Sequence, residues 1–153
     1  MKILKLIVLF LIINFGALAI GSWLMDGGST SAWYTNLNQA PWTPPGWAFG
    51  AAWSFIMICF SVYMAYLYTE SPTTKVKTLF LIQFVLNVSW NFIFFNQHLI
   101  SLGLLDIILL TIVVAVFLFT YMKQLKIKSL LILPYFVWLC IATSLNAYIL
   151  FNN

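Results

Sequence analysis

Apolar residues along this chain neither alternate nor form narrow stripes; they are grouped in five long blocks, residues 6–25, 47–68, 78–95, 101–122 and 129–151. Crossing a bilayer's hydrocarbon takes about 20 mostly apolar helical residues. The third block is the shortest, and Lys77 can extend it by snorkelling. Each block must be helical, because a lone strand would leave its backbone groups unpaired in lipid. The pattern therefore predicts an all-α membrane protein. It is a five-transmembrane-helix bundle forming one domain over residues 1–153, with a structured aromatic loop, 26–46, between the first two helices.

The first block has a competing reading. Lys2 and Lys5, an apolar core and Ala17-Leu18-Ala19 resemble a secretory signal with its cleavage site. The apolar stretch continues through Ile20, Trp23, Leu24 and Met25, which is long enough to span, so a retained first helix is expected.

Composition sharpens the class. Of 153 residues, 63% are hydrophobic and 7% charged, against about 25% charged in a soluble domain. The net charge of +4 comes from seven lysines against Asp26, Glu70 and Asp106, with no arginine. Nucleic-acid binding needs a clustered basic face, and none is visible. With five spans, all seven lysines fall on one side, at Lys2, Lys5, Lys75, Lys77, Lys123, Lys126 and Lys128. The positive-inside rule puts that side and the amino terminus in the cytoplasm, with loop 26–46 and the carboxy terminus outside.

Candidate chemistry is aromatic and amide in character. Loop 26–46 holds Trp33, Tyr34, Trp42 and the pair Pro44-Pro45, which suits a helix's first turn, with Thr43 as its expected N-cap. Such a loop is either a rigid lid or part of an interfacial aromatic belt. In the second span Phe49, Trp53, Ile56 and Phe60 share a helical face; in the third, Gln83, Asn87, Trp90 and Phe94 do, with Asn91 beside them. Intramembrane amides face the bundle interior. They serve as interhelical glue or, beside a wide aromatic surface, as pocket lining. In the fifth span Tyr135, Trp138, Ala142 and Asn146 lie on one stripe, and Ala142 leaves room one turn from Trp138.

Asp106 is the one acid inside a span, with no lysine on its side to pair with. It is expected to be protonated or bonded to an indole, phenol or amide, in a structural or proton-coupled role. His98 is expected to be solvated. Cys59 and Cys140 are expected to pack as small hydrophobes, and no metal-ligand spacing occurs. Gly103 and Ala115 are candidates for a helix interface. There is no P-loop, G-x-S-x-G, H-E-x-x-H or carboxylate pair, which argues against acid/base enzymology.

One set of residues resembles a known family. Trp33-Tyr34-x-x-Leu37-x-x-x-Pro41-Trp42-x-Pro44-Pro45-x-Trp47 with Trp53 is similar to the first loop of the translocator protein family (TspO/MBR), also called tryptophan-rich sensory protein and peripheral-type benzodiazepine receptor. The similarity continues through Gln83-x-x-Leu86-Asn87-x-x-Trp90, Phe94-Phe95, Asp106, Pro134-Tyr135-x-x-Trp138 and Leu145-Asn146. It implies a bacterial cell-membrane protein, often a homodimer, that binds porphyrins, haem-pathway tetrapyrroles and benzodiazepine-site drugs. The implied ligand-binding residues are Tyr34, Trp42, Trp53, Asn87, Trp90, Phe94, Trp138 and Ala142. No cofactor or metal is required; protoporphyrin IX or haem would be ligand. Some bacterial relatives are reported to degrade protoporphyrin in light, which would make Trp138 a catalytic residue here. One departure concerns sterols. The family's motif needs a basic residue after Tyr148, and Ile149 to Asn153 contain none.

The leading functional expectation is a tetrapyrrole-binding membrane sensor, with photo-oxidation of porphyrin or transport of tetrapyrrole or lipid as alternatives. Without arginine, a porphyrin's propionates have no bidentate partner, so they are expected to face water or neutral donors.

Overall fold

The computed structural model describes residues 2–153. Its long helices are α1 (Lys2–Leu24), α3 (Gly46–Glu70), α4 (Thr74–Asn91), α5 (Ile100–Leu125) and α6 (Leu133–Asn152), with a short α2 (Ala32–Thr35) between the first two. Four uninterrupted helical stretches are long and apolar enough to cross a membrane, and the last, Ile100–Asn152, is 53 residues. At 1.5 Å per residue that stretch would reach about 80 Å, far beyond a hydrocarbon core of about 30 Å. It is instead folded back on itself. Lys126 takes a φ of 54°, and a 3₁₀ segment, Lys126–Ile132, leads into α6. Five membrane-length helices result.

Helix ends depart from the sequence expectation at several points. The third span begins at Thr74, where Thr73 Oγ1 accepts from the Val76 amide, so Lys75 and Lys77 lie in the helix rather than in a loop. Long lysine stems make that tolerable near a membrane surface. Its far end continues as a π-helical turn, Phe92–Asn96. The fourth span likewise extends to Leu125 and takes in Lys123. Thr43 does not cap α3. Pro45 biases the residue before it towards extended backbone and is itself extended (ψ 152°), so the helix starts only at Gly46. Thr43 then lies too far upstream, and its hydroxyl donates to Ala40 O in a local turn.

The lysine-bearing ends gather at one end of the bundle. Phe10 near the start of α1 meets Tyr68 near the end of α3, Lys77 lies over the Tyr68 ring, and Lys128 pairs with Glu70 at 3.1 Å. The core is aromatic: Phe60 contacts Tyr63, Phe80, Phe117 and Tyr135 at centroid distances of 5.1–6.3 Å. Such pairs are worth about 0.5–1.5 kcal/mol each beyond burial. Two polar bonds fix helix register inside this core. Tyr63 Oη donates to Phe117 O (3.0 Å), and Tyr135 Oη donates to Gln83 Oε1 (2.8 Å). Elsewhere the surface is apolar, as lipid requires. Gly103 packs inward: a Cβ there would lie 3.1 Å from Phe94, which removes it as a surface for another copy.

Candidate functional site

At the lysine-free end, α1 parts from α3. Lower down the two are tied by a buried bond from Asn14 Nδ2 to Ser61 Oγ (2.8 Å). Higher up α1 leans on α4 instead. Gly21 permits an approach so close that a Cβ there would sit 2.6 Å from Asn91 Nδ2, and Asn96 Nδ2 donates to Leu24 O (3.0 Å). Between the diverging helices lies a cavity of about 360 Å³, within the 300–1,000 Å³ usual for small-molecule sites.

Each wall has its own character. α1 contributes Ala17, Leu18 and Ser22; α3 contributes Phe49, Gly50 and Trp53; α4 and its π turn contribute Asn87, Trp90, Asn91 and Phe95. The roof is Gly27, Ser29 and Thr30, from the segment that follows α1. That segment turns sharply through Asp26, Gly27 and Gly28, all at positive φ (48°, 87° and 52°). The lining is mainly apolar, with serine and amide groups interspersed. None of its described residues is charged. The Asn87 side-chain amide has no protein partner among the described hydrogen bonds, while Asn87 O accepts from Asn91 Nδ2 (3.0 Å).

A second, much smaller void of about 20 Å³ lies behind Trp90 and Phe95, lined also by Tyr34, Phe94, Ala142 and Asn146. Trp90 is the partition between the two. It stacks on Phe94 (5.3 Å, 7°), and its indole Nε1 donates to Asn146 Oδ1 (3.2 Å).

Of the eight residues singled out from the sequence, Trp53, Asn87 and Trp90 line the larger cavity. Tyr34, Phe94 and Ala142 line the smaller one beside Trp90. Burial raises the Tyr34 phenol above its ordinary pKa, which keeps it neutral. Trp42 and Trp138 line neither cavity. Trp42 lies over α6, donating to Ser144 Oγ (3.1 Å) and meeting Tyr148 edge-on. Trp138 is screened by Phe49, edge-on at 5.6 Å, and its Nε1 is buried without a partner.

Three other expectations change. Asp106 is held by a hydroxyl rather than an indole, phenol or amide: Ser89 Oγ donates to its Oδ1 (2.7 Å), and Oδ2 is buried without a partner. Ser89 immediately precedes Trp90 on α4, so Asp106 secures the helix that carries the site. His98, though exposed, is stacked on Trp33 at 4.1 Å and 9°. The contribution of α1 was not singled out from sequence. Its buried positions, Phe10, Asn14, Ala17 and Gly21, recur at steps of four, three and four, and Asn14 is the polar marker that identifies this face as inward. Among the described residues no group of three or more His, Cys, Asp or Glu is placed to hold a metal.

The TspO/MBR family profile matches residues 7–151. The tryptophan-rich protein TspO of Archaeoglobus fulgidus is 34% identical over 155 residues, covering 100% of this chain and 99% of that protein. The tryptophan-rich protein TspO of Chlorobaculum tepidum is 34% identical over 149 residues, 90% and 94% of the two chains. Human translocator protein is 28% identical over 126 residues, 78% and 73%. With a family match across nearly its whole length, this chain belongs to the TspO/MBR family.

Proposed function

We propose that the protein is a membrane receptor for flat, largely apolar ligands, porphyrins and related tetrapyrroles foremost, bound between α1, α3 and α4. The observation that carries this reading is the 360 Å³ cavity. It has four broad aromatic side chains, an unengaged Asn87 amide and no charge. Apolar walls with a few fixed polar groups are what such ligands require. Ring stacking on Trp53 and Trp90 contributes about 0.5–1.5 kcal/mol per contact, and with apolar burial supports micromolar affinity, about −8 kcal/mol.

A cavity near the lower end of the usual range takes part of a tetrapyrrole. The remainder, with its propionates, lies at the mouth, away from the lysines at the opposite end. Loop 26–46 serves as the lid. The positive-inside rule orients the lysine end to the cytoplasm. Titration with protoporphyrin IX in the dark, followed by tryptophan quenching, tests the reading. Saturable binding that weakens at least tenfold in Asn87→Ala and Trp90→Phe is expected. Unsaturable quenching that is equal in all three proteins overturns it. Light-dependent degradation is the second reading, favoured by one observation: Phe49, which lines the cavity, meets the unpartnered indole of Trp138 edge-on at 5.6 Å.

A further inference from the structure

The cavity has a roof, a back wall and one open side, and these locate the way in. The loop that runs on from the roof is fastened. Asn153 makes a reciprocal pair with Asn38, its Oδ1 accepting from the Asn38 amide (2.8 Å) and its Nδ2 donating to Asn38 O (3.1 Å). Gln39 Nε2 donates to Tyr34 O (2.8 Å), and Trp42 is bonded to Ser144. Trp33 is stacked on His98. Residues 33–42, which continue from the roof, are therefore joined to both α6 and the α4–α5 connection. The back is closed by α4, against which Gly21 and Leu24 of α1 rest.

The α1–α3 seam is different. Ser22 on one side and Gly46 and Gly50 on the other line the cavity and are exposed, as are Gly27 and Thr30 of the roof, but at the roof a Cβ on Gly27 would already meet Ser31 at 3.5 Å. A Cβ built on Gly50 would meet nothing within 4 Å. Gly50 is the fifth residue of α3, about 6 Å along its axis. The indoles flanking the seam give its depth: Trp23 is 81% exposed and Trp47 76%, and exposed tryptophans settle at the membrane–water interface. The opening lies at that level and just beneath it.

We propose that ligand enters and leaves laterally, from the bilayer through the α1–α3 seam at Gly50, while the fastened lid stays closed. This rests on the receptor reading and specifies its ligands as molecules already dissolved in lipid. Such a ligand never has to strip the lid from its hydrogen bonds.

The test uses the full chain in lipid nanodiscs with protoporphyrin IX, by stopped-flow tryptophan quenching. Gly50→Phe, which projects a ring into open space, is expected to slow association and dissociation together at least tenfold. Asn153→Ala, which loosens the lid, is expected to leave both rates unchanged. For wild type, adding protein-free lipid at fixed porphyrin should lower the observed rate in proportion to the porphyrin's mole fraction in the bilayer. Faster association in Asn153→Ala with no slowing in Gly50→Phe would overturn the lateral route in favour of the lid. In Gly50→Phe, a faster dissociation alone would make Gly50 a ligand contact and not a gate, and would equally overturn it. Failure of wild type to bind at all would sink the receptor reading instead, so the two are distinguishable.

Discussion

Gln83 and Asn87 stand one helical turn apart on α4, yet the structure gives them opposite tasks, and stability measurements separate these. Gln83 Oε1 accepts the Tyr135 hydroxyl at 2.8 Å where both residues are essentially inaccessible. Tyr135→Phe removes the donor and leaves a carbonyl oxygen stranded among Phe60, Trp53 and their neighbours. Interhelical hydrogen bonds in membranes are worth about 0.6 kcal/mol on average. A stranded buried acceptor adds about 1–3 kcal/mol of lost solvation. Tyr135→Phe should therefore cost about 1.6–3.6 kcal/mol. Replacing both partners, Gln83→Leu with Tyr135→Phe, removes the stranded atom as well and should return to within about 1 kcal/mol of wild type. Reversible SDS-induced unfolding of detergent-solubilised protein reads these differences, and the four proteins form a double-mutant cycle. If the double variant cost the sum of the singles, or if Tyr135→Phe were neutral, the bond would not be fixing α4 against α6 and this reasoning would be refuted.

Other expectations follow from single contacts. Asp106→Asn keeps the acceptor for Ser89 and removes a chargeable oxygen that has no partner, so its thermal midpoint in detergent should equal or exceed that of wild type. A fall of several degrees would mean that the carboxyl group itself is required. Gly103→Val forces methyl groups against Phe94, 3.1 Å from the Cβ position; overpacking of this kind costs about 1–3 kcal/mol, read in the same unfolding assay. Trp138→Phe should leave the dark affinity for protoporphyrin unchanged within about twofold, since Trp138 lines neither cavity. A tenfold loss would require the ligand to displace Phe49.

The five spans were readable because lipid imposes a minimum length and forbids unpaired backbone, a constraint that survives ignorance of every tertiary contact. Their ends were less readable. Lys75, Lys77 and Lys123 look like loop residues in a hydropathy pattern, yet they sit in helices because their stems reach the surface. The inward face of α4 announced itself through Asn87 and Gln83, polar groups that lipid would reject. The α1 wall did not, since Ala17 and Leu18 look no different from lipid-facing neighbours, and only Asn14 distinguishes the buried stripe. The pairing of Asn38 with Asn153 joins positions 115 residues apart, and no local pattern encodes it. Trp42 and Trp138 were grouped with the site by resemblance; in this chain their rings are taken up by Ser144, Tyr148 and Phe49.

The placement of α1 has a mechanical consequence. Bonded to α3 at Asn14 and resting on α4 above Gly21, it is a lever whose fulcrum is the Asn14–Ser61 bond. The apolar part of the helix, residues 6–24, measures about 29 Å, close to a typical hydrocarbon thickness of about 30 Å. A helix so matched stands upright in a typical bilayer and tilts in a thinner one. Because the seam lies on the upper arm of the lever, its width is tied to that tilt. If ligand exchanges through that seam, bilayer thickness sets how fast the cavity changes its contents.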